Sequence, residues 1–198
     1  MKIVVIGATG TIGTAVANAL EPKHEVMRVS RTGPIQADLK DSSSIDALFN
    51  SVGTVDAVVS CAASVPLTPL FSLSGTAAAE FSKAKLLGQL HLVHVALNRL
   101  GKNGSVTLTS GVFAEPMVGS ALGALVNTGL DSFVQAALPE LPQGLRLNVV
   151  SPGWIRETLI KLRMNPDSGT PVTVVAEAYL KAIEGTMNGQ VLRPSMKI

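Results

Sequence analysis

The stretch Ile3-Val4-Val5-Ile6-Gly7-Ala8-Thr9-Gly10-Thr11-Ile12-Gly13 constrains this chain more than any other. An apolar run without alternation suits a strand covered on both faces, as at the centre of a parallel sheet. Three glycines at three-residue spacing then lead into an apolar-periodic segment, Thr11 to Leu20, stopped by Pro22. Strand, glycine turn and helix in this order open a βαβ unit. The first glycine permits the tight turn, the second lets the main chain approach a phosphate, and the third lets the helix pack against the strand. The helix start presents free N–H groups and its positive dipole end, which together suit a pyrophosphate. An ordinary strand-to-helix turn is the alternative, and the position directly after the first strand favours the phosphate reading.

The alternation continues. The pattern predicts strands at Glu25 to Ser30, around Ile35-Gln36-Ala37, at Ala57 to Ser60, at Val106 to Thr109, at Arg146 to Val150 and at Gln190-Val191-Leu192. Helices are expected over Ser43 to Ser51 behind an Asp41 N-cap, about Thr76 to Leu100 closed by Gly101, about Gly119 to Leu138, and Thr173 to Glu184. Ser151 to Gly169 reads as a looser segment. Strands alternating with helices imply an α/β fold: one domain over 1–198, a doubly wound Rossmann-type parallel sheet of about seven strands. Apolar residues at 46% and charged residues at 15%, against about 25% charged in typical domains, agree with strands buried on both faces.

Composition also excludes. A net charge of +2 without clustered Lys or Arg argues against nucleic acid. The longest uncharged stretch, Ala57 to Ala79, contains Pro66, Pro69 and six Ser/Thr residues, so no membrane helix is expected there. The first residues enter a strand at once, leaving no secretory apolar region. A single cysteine, Cys61, forms no internal disulfide and suits a reducing compartment, so a cytoplasmic protein is expected.

The second strand ends Ser30-Arg31-Thr32, where an NAD site would place an acid on the ribose 2′-hydroxyl. Arg31 instead offers a planar, permanently charged fork for a 2′-phosphate, flanked by two hydroxyls. NADP(H) is therefore expected in preference to NAD(H), with a solvated loop arginine as the alternative. Arg28, inside the strand, has no assigned role.

Across nearly its whole length the chain resembles the short-chain dehydrogenase/reductase family. GATGTIG matches that family's first turn, which implies cofactor contacts at Gly7, Thr9, Gly10, Thr11, Ile12 and Gly13. Asp38-Leu39 is similar to the pair that meets the adenine. Cys61-Ala62-Ala63, after Ser60, stands where the family has Asn-Ala-Gly following an asparagine. Pro152-Gly153-Trp154-Ile155 resembles the turn beside the nicotinamide, implying contacts at Pro152, Gly153 and Ile155. Ser110 follows its strand as the family's catalytic serine does. The chain is short for this family: only Gly33 and Pro34 separate Thr32 from Ile35, leaving no helix between the second and third strands.

The family's proton relay is missing. Its tyrosine falls at Gly123, its lysine at Asn127, and its supporting asparagine at Lys85 in Lys85-Leu86-Leu87-Gly88. Loss of a positioned general acid costs about 10²- to 10⁴-fold. Ser110 and Lys85 are the catalytic candidates, Lys85 because burial beside a cationic ring would bring its pKa into range. A solvated helix lysine is the competing reading. Glu115 is a further candidate acid, Tyr179 reads as core, and Glu157 stands where the family often has a threonine, with Thr158 one residue late. His91 and His94 read as helix packing rather than metal ligands, and His24 as surface.

Two functions remain. One is an NADP(H)-dependent oxidoreductase acting on a small carbonyl or alcohol; the other is a cofactor-binding sensor or partner-stabilising module without turnover. The long helix from Thr76 and the helix from Gly119 resemble the pair that associates members of this family, which implies a homodimer or homotetramer; Leu86, Leu90, Val93 and Leu97 form an apolar stripe at helical spacing, with core packing as the alternative.

Overall fold

A computed structural model describes residues 1–62 and 67–195. In chain order the elements are β1 (Lys2–Ile6), α1 (Thr11–Leu20), β2 (Glu25–Ser30), β3 (Ile35–Gln36), α2 (Ser42–Val52) and β4 (Val55–Ser60). There follow α3 (Gly75–Ser82), α4 (Gly88–Leu97), β5 (Leu100–Thr109), α5 (Ala121–Ala136), β6 (Arg146–Val150), α6 (Arg156–Lys161), α7 (Val172–Glu184) and β7 (Val191–Leu192). The seven strands form one sheet in the order β3-β2-β1-β4-β5-β6-β7. Each neighbouring pair is parallel.

Alternate residues of β1 serve opposite cores, which explains its unbroken apolar run. Val4 and Ile6 join Phe49 of α2, Leu92 of α4 and Leu130 of α5 on one face. Ile3 and Val5 join Val16 and Leu20 of α1 with Tyr179 and Ile183 of α7 on the other. Tyr179 is core, as the sequence suggests. Its hydroxyl meets Thr109 Oγ1 at 2.6 Å. Because Thr109 donates its own proton to the Ser60 carbonyl, Tyr179 is the donor to Thr109.

Asp41 caps α2 as expected, its carboxylate accepting from the Ser43 N–H at 3.0 Å. The long helix differs from expectation. It ends at Leu97 rather than Leu100, and Gly101 lies inside β5, which begins six residues earlier than the apolar pattern showed. The cause is sequence register: Gly101, Lys102, Asn103 and Gly104 hide a strand start that pairs Leu100 with Val55. Between α3 and α4 the helix widens to a π-turn over Lys83–Leu87, a feature frequent at functional sites. Ser151 to Gly169 is ordered by α6 and a 3₁₀ turn at Pro166–Ser168. Among the described residues no helix is long and apolar enough to cross a membrane.

From β1 the chain runs outward through β2 and β3, then returns to place β4 on the other side of β1. The crevice at the carboxyl ends of the strands around that reversal is where open α/β sheets take their ligands.

Candidate functional site

A cleft of about 950 Å³ occupies that crevice. One end is framed by Gly7, Thr9, Gly10, Thr11 and Ile12 from the turn after β1. Gly7 has φ +80°, and a Cβ on it would sit 2.7 Å from the Ala62 nitrogen. The turn is held from below: the N–H groups of Gly7 and Ala8 donate to the Val29 carbonyl at 2.9 and 3.1 Å. Gly13 does not line the cleft. A Cβ there would stand 2.1 Å from the Gly7 carbonyl oxygen, so Gly13 lets α1 press against the turn. No side chain caps α1, and its first turn carries no acid. The N–H groups of Thr11, Ile12 and Gly13 therefore have no helical partner.

Ser30 and Arg31 extend this wall, followed by Ala37, Asp38, Leu39 and Lys40. Asp38 Oδ1 accepts from the Lys40 N–H at 3.0 Å. Arg31 is exposed and makes no ion pair among the described residues. Thr32 is exposed and lies outside the lining, unlike its two predecessors. Arg28 gains a role: its guanidinium holds Glu21 at 2.7 Å and Asn18 at 2.5 Å, tying β2 to α1.

Cys61 and Ala62 line the middle of the cleft; Ala63 lies outside the described residues. Burial pushes the Cys61 thiol well above its usual range, which leaves it inert. Pro152, Gly153, Trp154 and Ile155 form the opposite lip with Thr158. Thr158, rather than Glu157, faces the cleft; Glu157 instead accepts from the Val172 N–H at the start of α7.

The far end is made of side chains. Lys85 is only 3% exposed, which removes the solvated alternative. Its Nζ donates to the Ser110 carbonyl at 3.0 Å. Burial lowers its pKa to about 8, with the Asp131 carboxylate opposing that fall. Gln89, one turn on, bonds the Lys85 carbonyl and both main-chain groups of Thr109. The π-turn and Gln89 together fix Lys85 against the end of β5.

Ser110 donates its hydroxyl proton to Asp131 Oδ1 at 2.5 Å. Asp131 Oδ2 is met by Arg193 Nη2 at 3.2 Å and by the Ser151 hydroxyl at 3.4 Å. Sequence reasoning missed Asp131: it sits in an apolar-looking run of α5, and only a charge on a buried face could have exposed it. Asn127, one turn earlier, is 3% exposed, lines the cleft, and leaves its Oδ1 without a partner among the described residues.

Other candidates fall away. Glu115 is exposed and outside the lining. His91 bonds Asp46 at 3.0 Å, with the His94 ring 6.3 Å away. No group of three metal-ligating side chains occurs among the described residues. His24 is not simply surface: its Nε2 pairs with Glu184 at 2.9 Å, joining the turn after α1 to α7.

Residues 3–119 match the model of the NAD dependent epimerase/dehydratase family. In three dimensions the chain is similar to the protein lin1944 from Listeria innocua. The TM-score is 0.93 at 35% identity, over 98% of this chain and 100% of that one. It is also similar to a small-chain dehydrogenase in complex with NADPH (TM-score 0.84, 24% identity, 98% of this chain and 95% of that one). A short chain dehydrogenase from Burkholderia cenocepacia J2315 in complex with NADP gives a TM-score of 0.81 at 21% identity, over 96% of this chain and 94% of that one. These last two likenesses speak to the fold. No curated protein matches the chain in sequence.

Proposed function

Because the chain belongs to the NAD dependent epimerase/dehydratase family, a nucleotide-binding oxidoreductase type akin to the short-chain dehydrogenase/reductases, we propose that it is an NADP(H)-dependent oxidoreductase of small carbonyls or alcohols with an altered proton relay. The observation that carries this reading is one cleft with a bare helix N-terminus and an arginine without an ion pair among the described residues at one end, and a buried lysine at the other. The unfilled N–H groups of α1 fit a pyrophosphate. Arg31 and Ser30 would hold a 2′-phosphate, while Asp38 and Leu39 would border the adenine. Cys61, Ala62, Pro152, Gly153 and Ile155 would line the path to the nicotinamide.

When bound, that ring supplies the hydride. The chain's own work at the reacting end is orientation and charge. Lys85 uses one of its three N–H bonds on Ser110, leaving two for a developing oxyanion. Asn127 Oδ1 is a buried acceptor with no donor among the described residues, and such a group costs about 1–3 kcal/mol unless a ligand hydroxyl satisfies it. A homo-oligomer in the cytoplasm completes the proposal. Val93 of the apolar stripe is buried in the core and Leu86 and Leu97 pack against it, so the association face falls to exposed Leu87 in the π-turn and Leu125 on α5, and light scattering tests it.

Fluorescence titration with NADPH and with NADH, followed by a carbonyl panel, tests the function. NADPH is expected to bind more tightly; equal affinities would defeat the cofactor assignment. The second reading, a cofactor-binding module without turnover, draws on Gly123 and Asn127 at the vacated relay positions. Tight NADPH binding with no oxidation across the panel selects it.

A further inference from the structure

Ser110 and Lys85 meet at the reacting end of the cleft, beside Asn127, and of these two only Lys85 has a side-chain hydrogen to offer there. Ser110 has a single hydroxyl proton, and it is given to Asp131 Oδ1. Its oxygen therefore faces any ligand as an acceptor. Lys85, buried in the same wall, keeps two N–H bonds uncommitted among the described residues.

We propose that Asp131 is a positioning residue that draws the Ser110 hydroxyl out of play and holds Lys85 as the cation, so that the reacting oxygen of the substrate is met by Lys85 Nζ and not by Ser110. The substrate class follows from this: an oxygen that gathers negative charge, such as a carbonyl becoming an alkoxide or enolate, seated on an ammonium. This inference rests on reading the cleft as a reacting site.

The electrostatics are simple to lay out. Arg31, Asp38, Lys40 and Lys85 are the charged groups lining the cleft. Asp131 on α5 is the anion whose field acts on Lys85, while desolvation acts against its charge. Arg193, beyond β7, sits on the far oxygen of Asp131 and offsets that anion. Removing the anion and removing its counter-cation must therefore move Lys85 in opposite directions. An Asp131 that acts on Ser110 alone, with no field at Lys85, predicts no such opposition.

The experiment follows the Lys85 side chain by ¹³C NMR in the protein without cofactor, its signal assigned by absence from Lys85→Met. Asp131→Asn is expected to lower the titration midpoint by about one pH unit. Arg193→Gln is expected to raise it by a smaller step. Movement in the same direction, or no movement in Arg193→Gln, overturns the proposal. Arg193 is exposed, so that variant decides the matter even where Asp131→Asn does not fold. NADPH titration of the same samples is read separately: failure to bind defeats the proposed function, while the opposed shifts still judge Asp131.

Discussion

The two ends of the cleft are made of different material. The phosphate end is main chain: a glycine turn, a bare helix start, and a strand terminus with one exposed arginine. The reacting end is side chain: Lys85, Ser110, Asn127 and Asp131, drawn from the long helix, the end of β5 and α5. A main-chain site tolerates many sequences so long as the glycines remain. A side-chain site changes character with each substitution. The comparison breaks most directly at Lys85. Lys85→Met is expected to cut NADPH-dependent turnover by about 10²- to 10⁴-fold while NADPH affinity holds. Steady-state kinetics beside fluorescence titration measure both, and turnover surviving in Lys85→Met would remove the lysine from the chemistry.

The same residue carries a stability cost that the phosphate end lacks. In the unfolded chain Lys85 keeps its proton up to about its ordinary pKa of 10.5, whereas in the folded protein it releases it near 8. Between those values the unfolded state binds more protons, so folding stability rises with pH. Below pH 8 the full penalty applies. Lys85→Met is thus expected to be more stable than the parent by about 3 kcal/mol at pH 7, an advantage that fades as pH climbs towards 10.5. Urea unfolding at several pH values reads it. A variant less stable at every pH would mean that the bond to Ser110 outweighs the buried charge.

This contrast also explains what could be read from the sequence. The turn was legible because its function is local: Gly7, Gly10 and Gly13 lie within one turn and answer to one geometry. The central strands were legible because continuous apolar runs bury on both faces, as Val4 and Val5 do in opposite cores. Lys85 could be placed near the cleft through the family register, but its burial depends on the π-turn and on Gln89, which no periodicity reveals. Asp131 stayed hidden because its partners, Ser110, Ser151 and Arg193, lie 20 to 62 residues away in the chain. The start of β5 was lost because its residues carry charge and glycine instead of the apolar pattern.

At the phosphate end the expected effect is smaller. Arg31 is exposed, so its contact with a 2′-phosphate is partly screened. A charge-assisted bond of this kind contributes about 1.5–3 kcal/mol, and Arg31→Ala is expected to weaken NADPH binding by about tenfold or more. NADH, with no 2′-phosphate, should change far less. Isothermal titration with both dinucleotides separates the cases, and an equal loss for the two would show that Arg31 supports the fold of the turn rather than the phosphate.

Thr32 gives the finest division between sequence and structure at this end. Its hydroxyl follows Arg31 directly, and by sequence alone it flanks the same phosphate as Ser30. Yet Ser30 lines the cleft and is 6% exposed, whereas Thr32 is exposed and outside the lining. β2 ends at Ser30, so the alternation that would return Thr32 to the face of Ser30 is broken before Thr32 is reached. Gly33 and Pro34 then turn the chain at once into β3, which leaves no helix to fold Thr32 back over the site. Substitution of an exposed residue without partners changes free energies by about 0.5 kcal/mol or less. Thr32→Ala is accordingly expected to alter NADPH affinity by no more than about twofold, against the tenfold loss in Arg31→Ala. A loss in Thr32→Ala as large as that in Arg31→Ala would mean that the turn after β2 closes on the cofactor, and that this end too is built by side chains.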